Sequence, residues 1–431
     1  MKYSFEWNEF ADQPHNVAPR SERTRHHFKH WRTYFSLAAA DLRYGLPGLW
    51  LYRRYRRNMY RERVRIDPSA FAVSVSPAAL PVSDKSGDVI ELLKAAGVQE
   101  TLVRIPSWEK GRLDAYERFA ARLHAHGFGL TIAVLQRRED VFEEAAWAGF
   151  LEDVFARFRP FCPNFEVGHA WNRTKWGVWD YTEYLKLAQP AVRLREKYRA
   201  TLVGPAVIDF EFHLYPPTVS RLPFDKISSL LYVDRVGAPD NGQFGWTTAM
   251  KVALFKAVAD VSAGRDCDCW ITEVNWPLRG TGKFSPASGE PNVTEEEQAD
   301  YLVRYYLICL AGGLIERVFW WQLAAPGYGL IDSREEPWRK RPSYFAFRTM
   351  TGIVGGSTFV GKAENTERAG GEIFLFEKQG RDFAVCWTNG VPFEHEFSRP
   401  VERILDRDGK DMEVRPGRIK IERSPKYVFF G

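Results

Sequence analysis

Trp270-Ile271-Thr272-Glu273-Val274-Asn275-Trp276-Pro277 holds the residue types with the most chemical consequence in this chain. A short apolar run ends on a carboxylate, and an aromatic loop follows at once. Such a run reads as a buried strand, which sets Glu273 at the mouth of a pocket with indole faces beside it. Carboxylates next to flat aromatic surfaces are the equipment of sugar chemistry. The carboxylate attacks or protonates, and the ring carries the apolar face of the sugar. A strand-end Glu in a surface salt bridge is the plainer reading, and the elements around it bear on the choice.

From Phe71 onward strand-like and helix-like segments alternate. The strand candidates are Phe71–Ser76, Thr101–Pro106, Gly129–Gln136, Asn164–Gly168, Thr201–Val207, Lys226–Val233, Cys269–Glu273 and Arg317–Leu323. Helical patterns separate them at Asp88–Ala96, Asp114–His126, Val141–Phe158, Tyr181–Lys197, Thr247–Val261 and Thr294–Ala311, with Tyr344–Ile353 closing the series. Thr294-Glu295-Glu296-Glu297 reads as a capping box. The strands are rich in Val, Ile and Leu with little polar alternation, as strands covered on both faces should be. Eight such units over roughly 280 residues predict an α/β fold, a (β/α)8 barrel over residues 67–355. After Gly355-Gly356 the pattern shifts to short alternating strands, Glu372–Glu377, Phe383–Thr388, Val401–Leu405, Ile419–Ile421 and Tyr427–Phe430. Turn pairs such as Asn389-Gly390 separate them, so residues 356–431 read as a small all-β, sandwich-like domain.

Residues 1–66 read as a separate extension. Between Arg20 and Arg65 thirteen Lys and Arg stand against three acids, a net +10, which leaves −5 to the rest of a chain whose total is +5. From Trp31 to Tyr60 aromatics mix with arginines, and Pro47-Gly48 should break the run into two short helices. A basic, aromatic-bearing segment of this kind suits peripheral contact of residues 20–65 with an anionic membrane surface. It equally suits packing on the body with its arginines solvated. No nucleic-acid-binding signature is present, so nucleic acid is not an expected partner. The five cysteines, Cys162, Cys267, Cys269, Cys309 and Cys386, are odd in number and scattered. Cys267 and Cys269 stand too close for the usual metal-ligand spacing, and the five read as reduced thiols. The first residues lack the basic-then-apolar layout of a secretory signal, and no run of about 18 apolar residues occurs. The expected location is cytoplasmic, peripheral to the inner membrane, and no motif calls for a cofactor or a metal.

In a barrel of this kind the active site forms at the C-terminal ends of the strands. Those ends offer Arg104 and Gln136, then Glu166, His169, Trp171 and Asn172, then Asp209, Glu211 and His213. They continue with Tyr232 and Asp234, Glu273 and Trp276, and finally Trp320, Trp321 and Gln322. Trp171, Trp176 and Trp179, with Asn172, Arg173 and Lys175 among them, form a second aromatic cluster suited to a sugar bearing acidic or phosphate groups. A Trp-rich packing loop is the alternative.

The order and character of these elements resemble the (β/α)8 glycoside hydrolases, and most closely family 39, the β-xylosidase and exopolysaccharide-hydrolase type. The stretches that carry the resemblance are Trp270–Pro277, Glu297–Ala311 with Arg317–Gln322, and Arg341-Pro342-Ser343-Tyr344-Phe345-Ala346-Phe347. It spans roughly residues 70–430 and implies a barrel followed by a β-domain. It also implies Glu273 as nucleophile, Tyr232 and Arg104 as the groups that hold it, and Trp320 or Trp321 as the floor of a sugar subsite. The family presents an Asn-Glu pair on the fourth strand, the Glu being the acid/base. Here that pair falls on His169-Ala170, and the strand's one carboxylate, Glu166, stands four residues early.

A methyl group cannot protonate a leaving group, which leaves three readings. Glu211 or Asp209 substitutes, since alternation with Phe210 and Phe212 would point Asp209, Glu211 and His213 one way in an extended strand. His169 donates the proton instead. Or catalysis is lost and the cleft only binds glycan. The expected partner is an oligo- or polysaccharide, anionic or lipid-linked.

Overall fold

The computed structural model describes residues 5–15, 19–76, 86–233, 236–285, 292–363, 370–414 and 418–431. In chain order the elements begin with β1 (Trp7–Asn8), β2 (Gln13–Pro14), α1 (Arg20–Lys29), α2 (Trp31–Asn58) and β3 (Val64–Arg65). The barrel follows as β4 (Phe71–Val75), α3 (Ser86–Ala95), β5 (Glu100–Pro106), α4 (Leu113–Ala125), β6 (Gly129–Leu135), α5 (Arg138–Phe142), α6 (Glu144–Phe158), β7 (Asn164–Val167) and α7 (Tyr181–Tyr198). It continues with β8 (Thr201–Ile208), α8 (Tyr215–Val219), β9 (Lys226–Leu230), α9 (Thr248–Ala263), β10 (Asp268–Val274), α10 (Glu295–Leu310) and β11 (Arg317–Trp320). A short ribbon, β12 (Ile331–Asp332) with β13 (Arg339–Lys340), precedes α11 (Pro342–Val354). The last part comprises β14 (Thr358–Lys362), β15 (Gly371–Lys378), β16 (Arg381–Thr388), β17 (Phe393–Glu396), β18 (Val401–Leu405), β19 (Asp411–Met412), β20 (Arg418–Ile421) and β21 (Lys426–Phe430).

Strands β4 to β11 pair in parallel and close into a barrel, with β11 returning to β4. All eight coincide with the runs read from the sequence, because a strand sandwiched between lumen and helices must be apolar on both faces. Outward residues such as Val73, Val103, Ile132 and Ile271 join the helix-covered core, while Ala72, Leu102, Ala133, Val203, Trp270 and Phe319 fill the lumen. The capping box is present at α10: Glu297 N–H donates to Thr294 Oγ1 at 3.1 Å, and Thr294 N–H to Glu297 Oε2 at 2.8 Å.

Residues 31–58 form one continuous helix and not the two expected from Pro47-Gly48. Proline removes one N–H and crowds one carbonyl, a local loss that a long packed face outweighs. Buried Ala40 and Gly48 lie on the face that meets α8 and α9, and Gly48 brings α2 close to Val258. Tyr55 Oη donates to Asp260 at 2.5 Å, and Tyr181 Oη to Ser36 Oγ at 2.7 Å. The basic segment is therefore held against the barrel. Further on, β3 pairs with β14 as the edge of the C-terminal sheet.

That sheet runs in the order β19-β18-β21-β16-β15-β14-β3, and β17 with β20 forms a second layer. The five strands read from the sequence are present. Strands β14, β17 and β19 are additional, and β17 and β19 are short and mostly exposed, so they carry little hydrophobic signal. One face of the large sheet, with Phe374, Phe376, Phe383 and Trp387, continues the barrel's own core. Arg304 of α10 ties the two parts together. Its guanidinium is buried and donates to the carbonyls of Thr388 and Arg423, both at 3.1 Å, and to Asp240 Oδ2 at 3.2 Å. Replacing it with methionine strands these acceptors and leaves Asp240 without its cation. R304M should therefore lower the unfolding free energy by about 3–5 kcal/mol in urea titration. A loss under about 1 kcal/mol would show that the clamp is dispensable.

Candidate active site

Glu273 reaches the barrel mouth through an irregularity in β10. Ile271 opposes Val318 and Val274 opposes Trp320, so Thr272 and Glu273 together face Phe319 alone. This extra residue is a bulge, and bulges re-aim side chains. Thr272 Oγ1 donates to Glu166 Oε1 at 2.8 Å inside the lumen, while the next side chain, Glu273, borders the cavity above.

Two donors grip the Glu273 carboxylate. Arg104 Nη2 of β5 contacts Oε2, and Tyr232 Oη, two residues beyond β9, donates to Oε1. A cation and a phenol O–H directed at one carboxylate favour its charged form. Arg104 also lies flat on Trp321, 3.3 Å from the ring centroid. Burial lowers the pKa of Arg104 from its usual value and raises that of Tyr232. His169 Nε2 stands 3.6 Å from Glu273 Oε2. Burial, with the Arg104 and Lys175 cations nearby, pushes His169 well below the usual imidazole range, which disfavours its charged form. Beside it Ala170 is buried with φ 42°, its N–H held by Ala206.

These groups line a cavity of about 210 Å³ together with Trp176, Lys175, Ile208, Asp209, Asn275 and Tyr328. Arg104, His169, Trp176, Asp209, Tyr232, Glu273 and Trp321 are thus brought together as the strand ends suggested. The other candidates are placed elsewhere. Trp171 stacks on Tyr184 with centroids 4.7 Å apart, and Trp276 and Trp320 are fully buried against each other in the core. Trp179 lies beneath Arg138. Gln322 is buried and does not border the cavity. Gln136 acts as a bracket, donating to the carbonyls of His169 and Trp176 at 3.0 Å each and accepting from His169 N–H. Glycine is required where that loop leaves β7: Gly168 has φ +85°, and a Cβ there would meet Tyr184 at 2.6 Å. Asp234 lies outside the described residues.

The expected alignment of Asp209, Glu211 and His213 does not occur. The strand ends at Ile208, Asp209 turns with φ 64°, and His213 sits in a short 3-10 helix. Arg173 takes both carboxylates, Asp209 at 2.5 Å and Glu211 by a second arm, while Asn172 donates to Glu211 at 2.9 Å. The trio therefore neither points one way nor gathers as metal ligands. Among the described residues one set has that chemistry, His26, His30 and Asp180, whose ligand atoms lie within 4.8 Å of one another. It joins α1 to the N-terminus of α7, away from the cavity lining, and His26 is already paired with Asp180 at 2.7 Å.

The sequence reading missed one wall of the cavity. Ala11, Asp12 and Gln13, from the turn and second strand of the β1–β2 hairpin, border it. Phe5 and Trp7 pack on Trp108, and Trp7 meets Trp176, which seats the hairpin over the barrel mouth. Locally this stretch offers a few aromatics, Phe5, Trp7 and Phe10, among polar residues; its destination is set by contacts with Trp108, Trp176 and Phe284, far away in sequence.

No family model and no curated protein matches the sequence. Solved structures match in fold. The GH51 arabinofuranosidase from Xanthomonas axonopodis pv. citri is 12% identical with a TM-score of 0.56, over 85% of this chain and 97% of that one. The thermostable GH51 alpha-L-arabinofuranosidase from Thermotoga petrophila RKU-1 is 11% identical with a TM-score of 0.55, over 85% and 98%. The Thermotoga maritima alpha-L-arabinofuranosidase, solved with arabinose, is 11% identical with a TM-score of 0.54, over 85% and 97%. The protein has the fold of barrel glycoside hydrolases. Family 39 is not singled out by these likenesses.

Beneath the cavity, Glu166 is 1% exposed, and burial raises its carboxyl to about 7 despite bonds from Ser228 and Thr272 and the Arg104 charge. An acid raised in the folded state binds protons more tightly there than in the unfolded chain, where it titrates at 4.5. Stability therefore falls as pH rises from about 4.5 to about 7, by on the order of 3 kcal/mol. E166Q removes this dependence. Between pH 5 and 8 its urea midpoint should decline less than that of the wild type, and parallel declines would refute the assignment.

Proposed function

We propose that the protein is a glycoside hydrolase that cleaves O-glycosidic bonds of an oligo- or polysaccharide, with Glu273 as nucleophile. The supporting observation is the Glu273 carboxylate itself, turned into the cavity by the β10 bulge and held by Arg104 and Tyr232. Two such donors favour the charged form of the carboxylate and fix its direction, as attack on an anomeric carbon requires. Trp176, Trp321 and Tyr328 supply aromatic walls, and Lys175 and Arg104 suit a substrate carrying acidic groups. Ala170, where the resemblance to family 39 would place the proton donor, supports a second reading, an inactive glycan-binding protein in polysaccharide or lipopolysaccharide assembly.

A panel of 4-nitrophenyl glycosides separates the two. Turnover by the wild type that falls at least about a thousandfold in E273Q, with binding of the same glycan retained, is the expected result. Binding by both proteins without turnover by either supports the inactive reading.

An anionic membrane surface is the partner that α2 suits. Trp31, Phe35, Leu42, Leu46, Leu49 and Trp50 recur at helical spacing on the face opposite the barrel, and Leu42 and Leu46 are each 79% exposed. Exposed Arg32, Arg43, Arg53, Arg54 and Arg57 flank this stripe. An apolar stripe edged by arginines inserts at the headgroup boundary and is drawn there by negative lipids. Because the opposite face packs on α8 and α9, point variants test this better than removal of the helix. The wild type should pellet with phosphatidylglycerol-rich vesicles and not with phosphatidylcholine ones. The L42D/L46D double variant should bind at least tenfold more weakly, about 1.4 kcal/mol. Equal pelleting of both proteins, or of neither, excludes the stripe as a membrane contact.

A further inference from the structure

Three carboxylates border the cavity among the described residues: Glu273, Asp209 and Asp12. Glu273 is gripped by Arg104 and Tyr232, and Asp209 is paired with Arg173 and nearly half exposed. Asp12 differs from both. Its side chain is only 19% exposed, and its buried Oδ2 accepts no hydrogen bond. The nearest cationic nitrogen, Arg104 Nη1, is 3.6 Å from that oxygen. The other arm of the same guanidinium touches Glu273, so the two carboxyl groups lie within about 8 Å of each other. That upper limit is compatible with the roughly 5–5.5 Å between the paired carboxyls of a retaining glycosidase.

The hairpin holds Asp12 there from several directions. Asn8 Oδ1 accepts the N–H groups of Phe10 and Ala11 at 3.1 and 3.2 Å and shapes the turn. Lys175 Nζ donates to Gln13 Oε1 at 2.6 Å. Phe10 packs on Phe284, and the Lys283 ammonium sits 3.6 Å from the Phe10 ring centroid. Asp12 has φ 51°, a left-handed conformation that costs most residues energy and that Asp tolerates better than most. Strain of this kind tends to collect where a side chain must be placed for function.

Resting on the glycosidase reading, we propose that Asp12 is the acid/base of this site, supplying from the N-terminal hairpin the carboxyl that the fourth barrel strand lacks at Ala170. In the first step Glu273 attacks the anomeric carbon, the bond to the leaving oxygen breaks, and the Asp12 proton passes to that oxygen. The products are a glycosyl ester on Glu273, a released alcohol and an Asp12 carboxylate. In the second step Asp12 takes a proton from water, whose oxygen attacks the anomeric carbon. The ester bond breaks, which restores the Glu273 carboxylate and protonated Asp12. Burial raises the Asp12 carboxyl above the usual range, with the Glu109 charge adding to this and Arg104 and Tyr328 opposing it. A carboxyl so raised keeps its proton to higher pH, as a general acid must.

The test uses D12N in the full chain, since Asn also tolerates the left-handed turn, with thermal melting to confirm folding. The probes are phenyl and 2,4-dinitrophenyl glycosides of whichever sugar the wild type releases. For D12N, cleavage of the phenyl glycoside should fall at least about a hundredfold. The rate of bond breaking with the dinitrophenyl glycoside, whose leaving group needs no proton, should fall far less. Added azide should raise D12N turnover and yield a glycosyl azide, since an anion needs no base to attack the ester. E273Q should lose both substrates without rescue. Equal losses on both substrates in D12N, or this leaving-group dependence in D209N and not in D12N, would overturn the proposal. An inert wild type would overturn the glycosidase reading on which it rests, whereas an active wild type with an unaffected D12N overturns the role of Asp12 alone.

Discussion

Arg104 and Glu273 meet at the mouth of a barrel whose lumen is otherwise mostly apolar, and neither charge is tolerable there alone. Burying an unpaired guanidinium or carboxylate costs several kcal/mol, so each depends on the other and on the dipoles around it. Tyr232 supplies one further donor to the carboxylate, and the Trp321 ring accepts the flat face of the guanidinium. Glu166 below them takes the other solution: deep burial raises its carboxyl to about 7 rather than giving it a partner cation of its own. The Arg104–Glu273 pair is thus the charged centre of the barrel mouth, and burial disfavours the charged forms of Glu166 and His169 around it.

Elements distant in sequence serve that arrangement. The β10 bulge turns Glu273 inward, and Gln136 brackets the loop that presents His169 and Trp176. The β1–β2 hairpin completes the wall with Asp12 and Gln13. Behind it α2 lies on α8 and α9, and β3 extends the C-terminal sheet, so these two elements are built into the barrel's flank and the β-domain's edge. The outward stripe of α2 is left uncovered, edged by arginines of that helix.

Asp209 and Glu211 show how packing separates neighbouring candidates, since Asp209 borders the cavity and Glu211 does not. Both are carboxylates just beyond a barrel strand, and in an extended chain they would reach the cavity side by side. The backbone turns at Asp209 instead, and Arg173 binds the two together. The indoles divide in the same way. Trp176 and Trp321 border the cavity, whereas Trp171, Trp276 and Trp320 are structural. Composition marks all of them as sugar-binding material, and only their surroundings tell them apart.

The barrel was legible from the chain alone because each of its strands must be apolar on both faces, a demand that leaves a continuous run for every strand. The helix starts were legible for an equally local reason, as the Thr294 and Glu297 cap shows. Placing Glu273 at the end of the seventh barrel strand followed from that regularity, whereas Tyr232 and Arg104 as its partners came from the family resemblance. Tertiary structure decided the rest. A bulge depends on the register between two strands, and the unbroken α2 depends on the surface that covers it. Asp12 carries no local signal for its place, since the hairpin gains its position from aromatic contacts with Trp108, Trp176 and Phe284, all far away in sequence. Local patterns record what one segment requires of its own backbone, whereas a site assembled from several segments exists only once the chain has closed around it.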